Sequence, residues 1–270
     1  MKILQQLICA LRSDRVQVLD LTTPLCETTP IIQLPADHGQ PWPFERELIS
    51  KYDARGPLTY WNNVRLSEHT GTHFDAPVHW LSGRELADVS QIPVQRLVAS
   101  AAVLDFSAEA AADPDFLLRR EHVERWIAEH GALPHGGWLL YRTGWDNRAG
   151  DPVKFLNDGH TPGIEPECAC WLSQAHRLVG IGVETVGTDA GMAAHFPNRA
   201  YPCHWYFQGS GKYGLTQLRN LALLPPQGAV IIAGPLPIVG GSGSPTRVLA
   251  LVEVTDNSGI RMNGSNAAYE

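Results

Sequence analysis

Apolar positions along the chain fall into short, strand-length runs, interleaved with a few stretches of helical spacing. The runs at 16–21, 64–66, 97–106, 138–143, 178–183, 229–233 and 247–254 are rich in Val, Leu, Ile and Ala, and each reads as a strand. The run at 97–106, Leu-Val-Ala-Ser-Ala-Ala-Val-Leu-Asp-Phe, is nearly continuous and predicts a buried strand. Val123, Trp126 and Ile127 are spaced for a helix over 120–130, which Gly131 ends. A second helix is predicted over 165–176, leading into the strand at 178. At the start, apolar residues 3, 4, 7, 8 and 11 trace one face of an amphipathic helix. Gln5 and Gln6 break that apolar run and Arg12 ends it, so a signal peptide is the poorer fit. No segment approaches the ~20 apolar residues of a membrane span.

Prolines at 24, 30, 35, 41, 43 and 57 predict a loop-rich stretch after the first strand. Strands alternating with a few helices predict an α/β fold with a mixed sheet, flanking helices and long loops, where sites usually sit. No repeat, low-complexity tract or linker divides the sequence, so residues 1–270 read as one domain. The 44% hydrophobic content supports a substantial core. A net charge of −7 argues against nucleic acid or a membrane surface as partner, since both call for a basic face. Five cysteines without regular spacing form no disulfide framework and read as reduced, which suits a cytoplasmic protein.

One segment concentrates the candidate chemistry. His69-Thr-Gly-Thr-His73-Phe-Asp75-Ala-Pro77-Val-His79 packs three imidazoles and a carboxylate into eleven residues. Imidazole with carboxylate is a donor mix suited to Zn²⁺, Mn²⁺ or Fe²⁺. Gly71, the threonines around it and Pro77 disfavour a long helix here. In an extended backbone His73 and Asp75 point to the same side, and a turn at Thr70-Gly71-Thr72 swings His69 back to join them. Elsewhere, Gly240-Gly-Ser-Gly243-Ser-Pro lacks the lysine and context of a phosphate loop and reads as a turn or active-site rim. Gly209-Ser-Gly211 lacks the spacing of a serine-hydrolase elbow. Histidines 38, 122, 130, 135, 160, 176 and 195 read as surface or structural residues.

The eleven-residue segment resembles the H-x-G-T-H-x-D-x-P-x-H motif of the cyclase-like metal-dependent hydrolases, a family that includes bacterial kynurenine formamidases and isatin hydrolases. Weaker echoes run through Val18-Leu-Asp20-Leu-Thr22, Leu140-Tyr-Arg142-Thr143-Gly144-Trp145 and Val179-Gly-Ile-Gly-Val-Glu184-Thr. The resemblance implies a compact, cyclase-like swivelling α/β fold, usually oligomeric, that binds a divalent cation and hydrolyses a small amide, lactam or lactone. Carried over by position, His69, His73 and Asp75 match metal ligands, and His79 and His204 match active-site histidines.

One departure separates the branches of the family. The formamidases carry a late Glu-Asn-Leu whose glutamate completes a two-metal site. Here the matching run is Gly214-Leu-Thr216-Gln217-Leu-Arg219-Asn220-Leu, with Thr216 at the glutamate position. The run is more similar to the isatin hydrolase type, which implies Gln217 as a fourth ligand of one cation, with Mn²⁺ favoured over Zn²⁺. Trp61, Trp80, Trp205 and Phe207 lie near the motif histidines in sequence and are expected to bind a flat aromatic substrate. The expected activity is hydrolytic opening of a small aromatic lactam, isatin. The alternatives are hydrolysis of an aryl formamide such as N-formylkynurenine, or another small amide or lactone, and, from a different class, metal binding without turnover.

Overall fold

The computed structural model describes residues 2–175 and 177–254. Helix α1 (Ile3–Arg12) is followed by β1 (Val16–Asp20), β2 (Glu45–Asp53), β3 (Gly56–Arg65), β4 (His73–Asp75) and β5 (Val98–Asp105). Next come α2 (Ser107–Ala112), β6 (Leu117–Leu118), α3 (Arg120–His130), β7 (Trp138–Arg142), α4 (Pro152–Leu156), β8 (Gly163–Ile164) and α5 (Pro166–Ala175). The described residues continue through β9 (Gly180–Val183), β10 (Tyr213–Thr216), β11 (Gln227–Pro235) and β12 (Gly243–Glu253). The helices expected over 120–130 and 165–176 are present, although His176 lies outside the described residues.

The expected mixed sheet is present, and it closes on itself. Its order is β1-β12-β11-β5-β7-β9-β10-β4, and β4 pairs again with β12. Seven strands thus form a closed barrel, with β5, β7, β9 and β10 parallel and the other junctions antiparallel. Closure depends on the length of β12. Its Gly243–Pro245 end pairs with β4, while residues 249–253 further along the same edge pair with β1.

Strand β7 shows why the sheet is buried on both faces. Trp138 and Leu140 point to one side and join Phe74, Tyr213, Leu215, Ile231 and Val248. Leu139 and Tyr141 point to the other, where Val123 and Trp126 of α3 and Cys168 and Leu172 of α5 cover them. The helices therefore pack outside the barrel, and the first cluster fills its interior.

One segment differs from expectation. Strands β2 and β3 make a long antiparallel hairpin within the stretch expected to be mostly loop. Its strands are largely solvent-facing, with Leu58, Trp61 and Val64 exposed. The amphipathic helix expected at the start is present as α1, and its apolar face stays outside the core: Ile3, Leu4 and Ile8 are exposed. Among the described residues, no helix is long and apolar enough to cross a membrane. All five cysteines are free.

Candidate metal centre and active site

The site is built by a turn, a short strand and a second turn. Gly71 takes a left-handed φ of 65° and packs against Leu25, where a Cβ would sit 2.5 Å from Cδ2. This turn returns His69 to the side of β4 from which His73 and Asp75 project. Phe74 points the opposite way and is fully buried against Tyr213 and Trp138. Pro77 then starts a single 3₁₀ turn, Pro77–His79, that brings the His79 ring to 3.9 Å from the His69 ring, centroid to centroid.

The side chains converge on Asp75. His69 Nδ1 lies 2.9 Å and His73 Nε2 3.2 Å from Asp75 Oδ1. His73 Nδ1 lies 2.8 Å from the Gly71 carbonyl, which only accepts, so the ring proton sits there and Nε2 offers a lone pair. Asp75 Oδ2 is buried and has no hydrogen-bond partner among the described residues. A carboxylate oxygen left bare in the interior is costly unless a charge meets it. The donor set fits a divalent cation, and His79 extends it: candidate ligand atoms of His69, Asp75 and His79 lie within 4.8 Å of one another. Burial, only partly offset by Asp75, takes His79 down to about 3, so its imidazole is neutral. Glycine leaves room for this packing. A Cβ on Gly214 of β10 would lie 2.6 Å from Asp75 Oδ2, and one on Gly243 of β12 would lie 2.6 Å from His69 Cε1.

His204 comes from a different part of the chain, at the start of a π-helical turn, His204–Gln208. Its Nδ1 is 2.5 Å from Asp189 Oδ2, and its Nε2 is 4.0 Å from Asp75 Oδ2. Asp189 also accepts the backbone N–H groups of Cys203 at 2.6 Å and His204 at 3.2 Å, so it fixes both the ring and the turn carrying it. Burial lowers the His204 pKa, yet the hydrogen bond and charge of Asp189 reverse this and leave it raised. The Trp80 ring lies 4.6 Å from the His204 ring and also packs on Tyr201.

The other predicted site residues have different surroundings. Gln217 is buried at the end of β10, and its Nε2 donates to Pro30 O at 3.1 Å. Its neighbour Thr216 has Oγ1 2.8 Å from His73 Nδ1. Trp205 lies under Arg199, whose guanidinium is 4.1 Å from the ring centroid, and its carbonyl accepts from Ser82 Oγ. Phe207 is 1% exposed and packs in the core cluster beside α5. Trp61 is on the exposed hairpin, and no described contact joins it to the histidine cluster.

Sequence reasoning missed Asp189, Glu68 and Ser242. Ser242 Oγ lies 2.8 Å from His69 Nε2 and 2.7 Å from Glu68 Oε2. Glu68 stands next to the motif, but nothing in the sequence pairs it with a serine 174 residues away.

The sequence profile of the Cyclase family matches residues 19–190. The chain belongs to the cyclase family. This cyclase-family chain is 45% identical to the isatin hydrolase of Roseibium aggregatum over 90% of its own length and 94% of that protein's. It superposes on a crystal structure of an isatin hydrolase bound to the product analogue thioisatinate with a TM-score of 0.91 and 43% identity, covering 94% of this chain and 100% of the other. It is 30% identical to the kynurenine formamidase of Salinibacter ruber, over 77% of this chain and 89% of that protein.

Proposed function

We propose that the chain is a hydrolase that uses one divalent cation to open the cyclic amide of a small aromatic lactam, isatin, giving isatinate. The observation that carries this is the bare, buried Asp75 Oδ2, with the His69 and His73 nitrogens at Asp75 Oδ1 and the Asp189–His204 pair facing Oδ2. His69, His73 and Asp75 would hold the cation, with Gln217 as a fourth ligand through Oε1 while its Nε2 stays on Pro30 O. When bound, the cation supplies a Lewis acid that polarises a carbonyl and acidifies water.

The chain's own groups account for the proton transfers. Ring opening adds a water oxygen to the lactam carbonyl carbon, breaks the C–N bond and puts a proton on the departing nitrogen. His204 Nε2 takes the proton from the attacking water and delivers it to that nitrogen, while Asp189 holds Nδ1–H and stabilises the imidazolium formed in between. His79, neutral and tilted against the His69 ring, presents a second imidazole beside the same carboxylate. The Trp80 face beside His204 suits a flat aromatic ring.

Two features favour the lactam over a formamide. Where a two-cation site would need another carboxylate, the chain has Thr216, a neutral, fully buried hydroxyl directed at His73. Identity to an isatin hydrolase is also well above that to a formamidase. Two imidazoles with two oxygen donors favour Mn²⁺ over Zn²⁺. The β2–β3 hairpin supports a homo-oligomer as the working form, since a two-stranded arm with exposed apolar side chains is marginal alone and gains by packing on a second copy. The test is hydrolysis of isatin and N-formylkynurenine side by side by the purified, metal-loaded chain. The expected result is turnover of isatin in clear preference; preference for the formamide would overturn the assignment.

A further inference from the structure

The loop that closes over His69 arrives from the far end of the chain, just before β12. It is pinned by three backbone donors: Val89 N to Gly241 O at 2.9 Å, Gly240 N to Asp88 Oδ2 at 2.9 Å, and Ala76 N to Ser242 O at 2.9 Å. Ser242 within it touches both Glu68 and His69. Ser242 N and Oγ each approach Glu68 Oε2, at 2.9 and 2.7 Å, and Oγ also lies 2.8 Å from His69 Nε2.

A serine hydroxyl has one hydrogen, and a carboxylate only accepts. The hydrogen of Ser242 therefore lies towards Glu68, and an oxygen lone pair faces His69. The 2.8 Å contact then requires a hydrogen on His69 Nε2. A neutral imidazole has a single N–H, so Nδ1 is left as a lone pair aimed at Asp75 Oδ1, 2.9 Å away. Two acceptors at that distance repel each other until a positive charge lies against both.

We propose that Glu68 and Ser242 are positioning residues that hold His69 in its Nε2–H tautomer and so present Nδ1 to the cation. The inference rests on the metal-dependent function proposed above. Neither residue touches the reacting atoms. They act as a hydroxyl and carboxylate placed behind a ligand histidine, an arrangement that orients the ring and raises its basicity.

The test is Zn²⁺ affinity of the full-length apoprotein, by competition with a chromogenic chelator, alongside ¹H–¹⁵N spectra of its imidazoles. S242A is expected to weaken Zn²⁺ binding about 10–100-fold, S242T to restore most of it, and E68Q to fall between. The apoprotein should show a protonated His69 Nε2 that S242A loses. D88N loosens the same loop at Gly240 without touching His69 and should leave both readouts unchanged. Wild-type affinity in S242A, or a loss in D88N as large as that in S242A, would overturn the proposal. A wild-type chain that binds no divalent cation would overturn the metal-dependent function instead, and the spectra of the apoprotein would still decide the tautomer.

Discussion

Asp189 and His204 form a buried carboxylate–imidazole pair, 2.5 Å apart, that points Nε2 of the ring at Asp75. The carboxylate does more than accept one hydrogen. By also taking the backbone N–H groups of residues 203 and 204, it ties the ring's orientation to the π turn from which the ring projects. D189N would leave a donor amide facing Nδ1 and favour the wrong tautomer. Its kcat for isatin is expected to fall about 10²–10⁴-fold with little change in KM. Steady-state kinetics check this, and an unchanged kcat would remove His204 from the proton-transfer role.

Cation binding should be visible in stability. Loading the stripped protein with Mn²⁺ or Zn²⁺ neutralises a bare interior oxygen, and binding to the native state alone adds about 2.7 kcal/mol at a free concentration 100 times Kd. A melting temperature that rises with cation concentration is the expected result. Scanning the stripped protein against a cation series measures it, and a flat series would speak against the cluster as a binding site.

The glycine at 214 makes a sharper local prediction. A methyl there meets Asp75 Oδ2 at 2.6 Å, and the carboxylate has to move. G214A should therefore lose cation affinity at least tenfold, whereas G234A, with open space around it, should bind as the wild type does. Isothermal titration of both variants separates the two.

Glu184 predicts a pH dependence of stability. It is 1% exposed, with Oε2 accepting from Thr143 N, Thr143 Oγ1 and Trp145 N while Oε1 has no partner among the described residues. Burial, helped by the nearby Asp146, raises it from 4.5 to about 7. The folded state therefore holds a proton that the unfolded state releases between these values. Stability from this group is full below about pH 4.5, declines as pH rises, and is gone above about 7, an upper bound of about 3 kcal/mol. Denaturant unfolding of wild type and E184Q across that range checks it. The glutamine variant should lack this component, and parallel curves would contradict the assignment.

The long strands and both helices beside the barrel were legible because their apolar spacing is strong and local. The extended backbone at His73–Asp75 was legible from the motif, but strand β10 was not, because it is short and includes Gly214 and Thr216 at positions chosen for chemistry rather than strand propensity. Barrel closure was equally hidden, since it depends on a second pairing of β12 that no local pattern encodes. Of the β2–β3 hairpin only the end of β3, within the run at 64–66, was legible, because prolines dominate the stretch around it and its two faces are similarly exposed. For the site, the motif placed His69, His73, Asp75 and His79 together, and the Gly71 turn has the role its position suggested. Asp189, Glu68 and Ser242 act through contacts 15 to 174 residues away in sequence, where single-chain spacing carries no signal.

The most direct test of the central claim is a cation titration of isatin opening. The stripped chain is reloaded in steps with Mn²⁺, and ring opening is followed by the loss of isatin absorbance. Activity that is absent without cation and reaches its plateau at one Mn²⁺ per chain is the predicted result. A plateau at two, or turnover that survives complete removal of the cation, would contradict it.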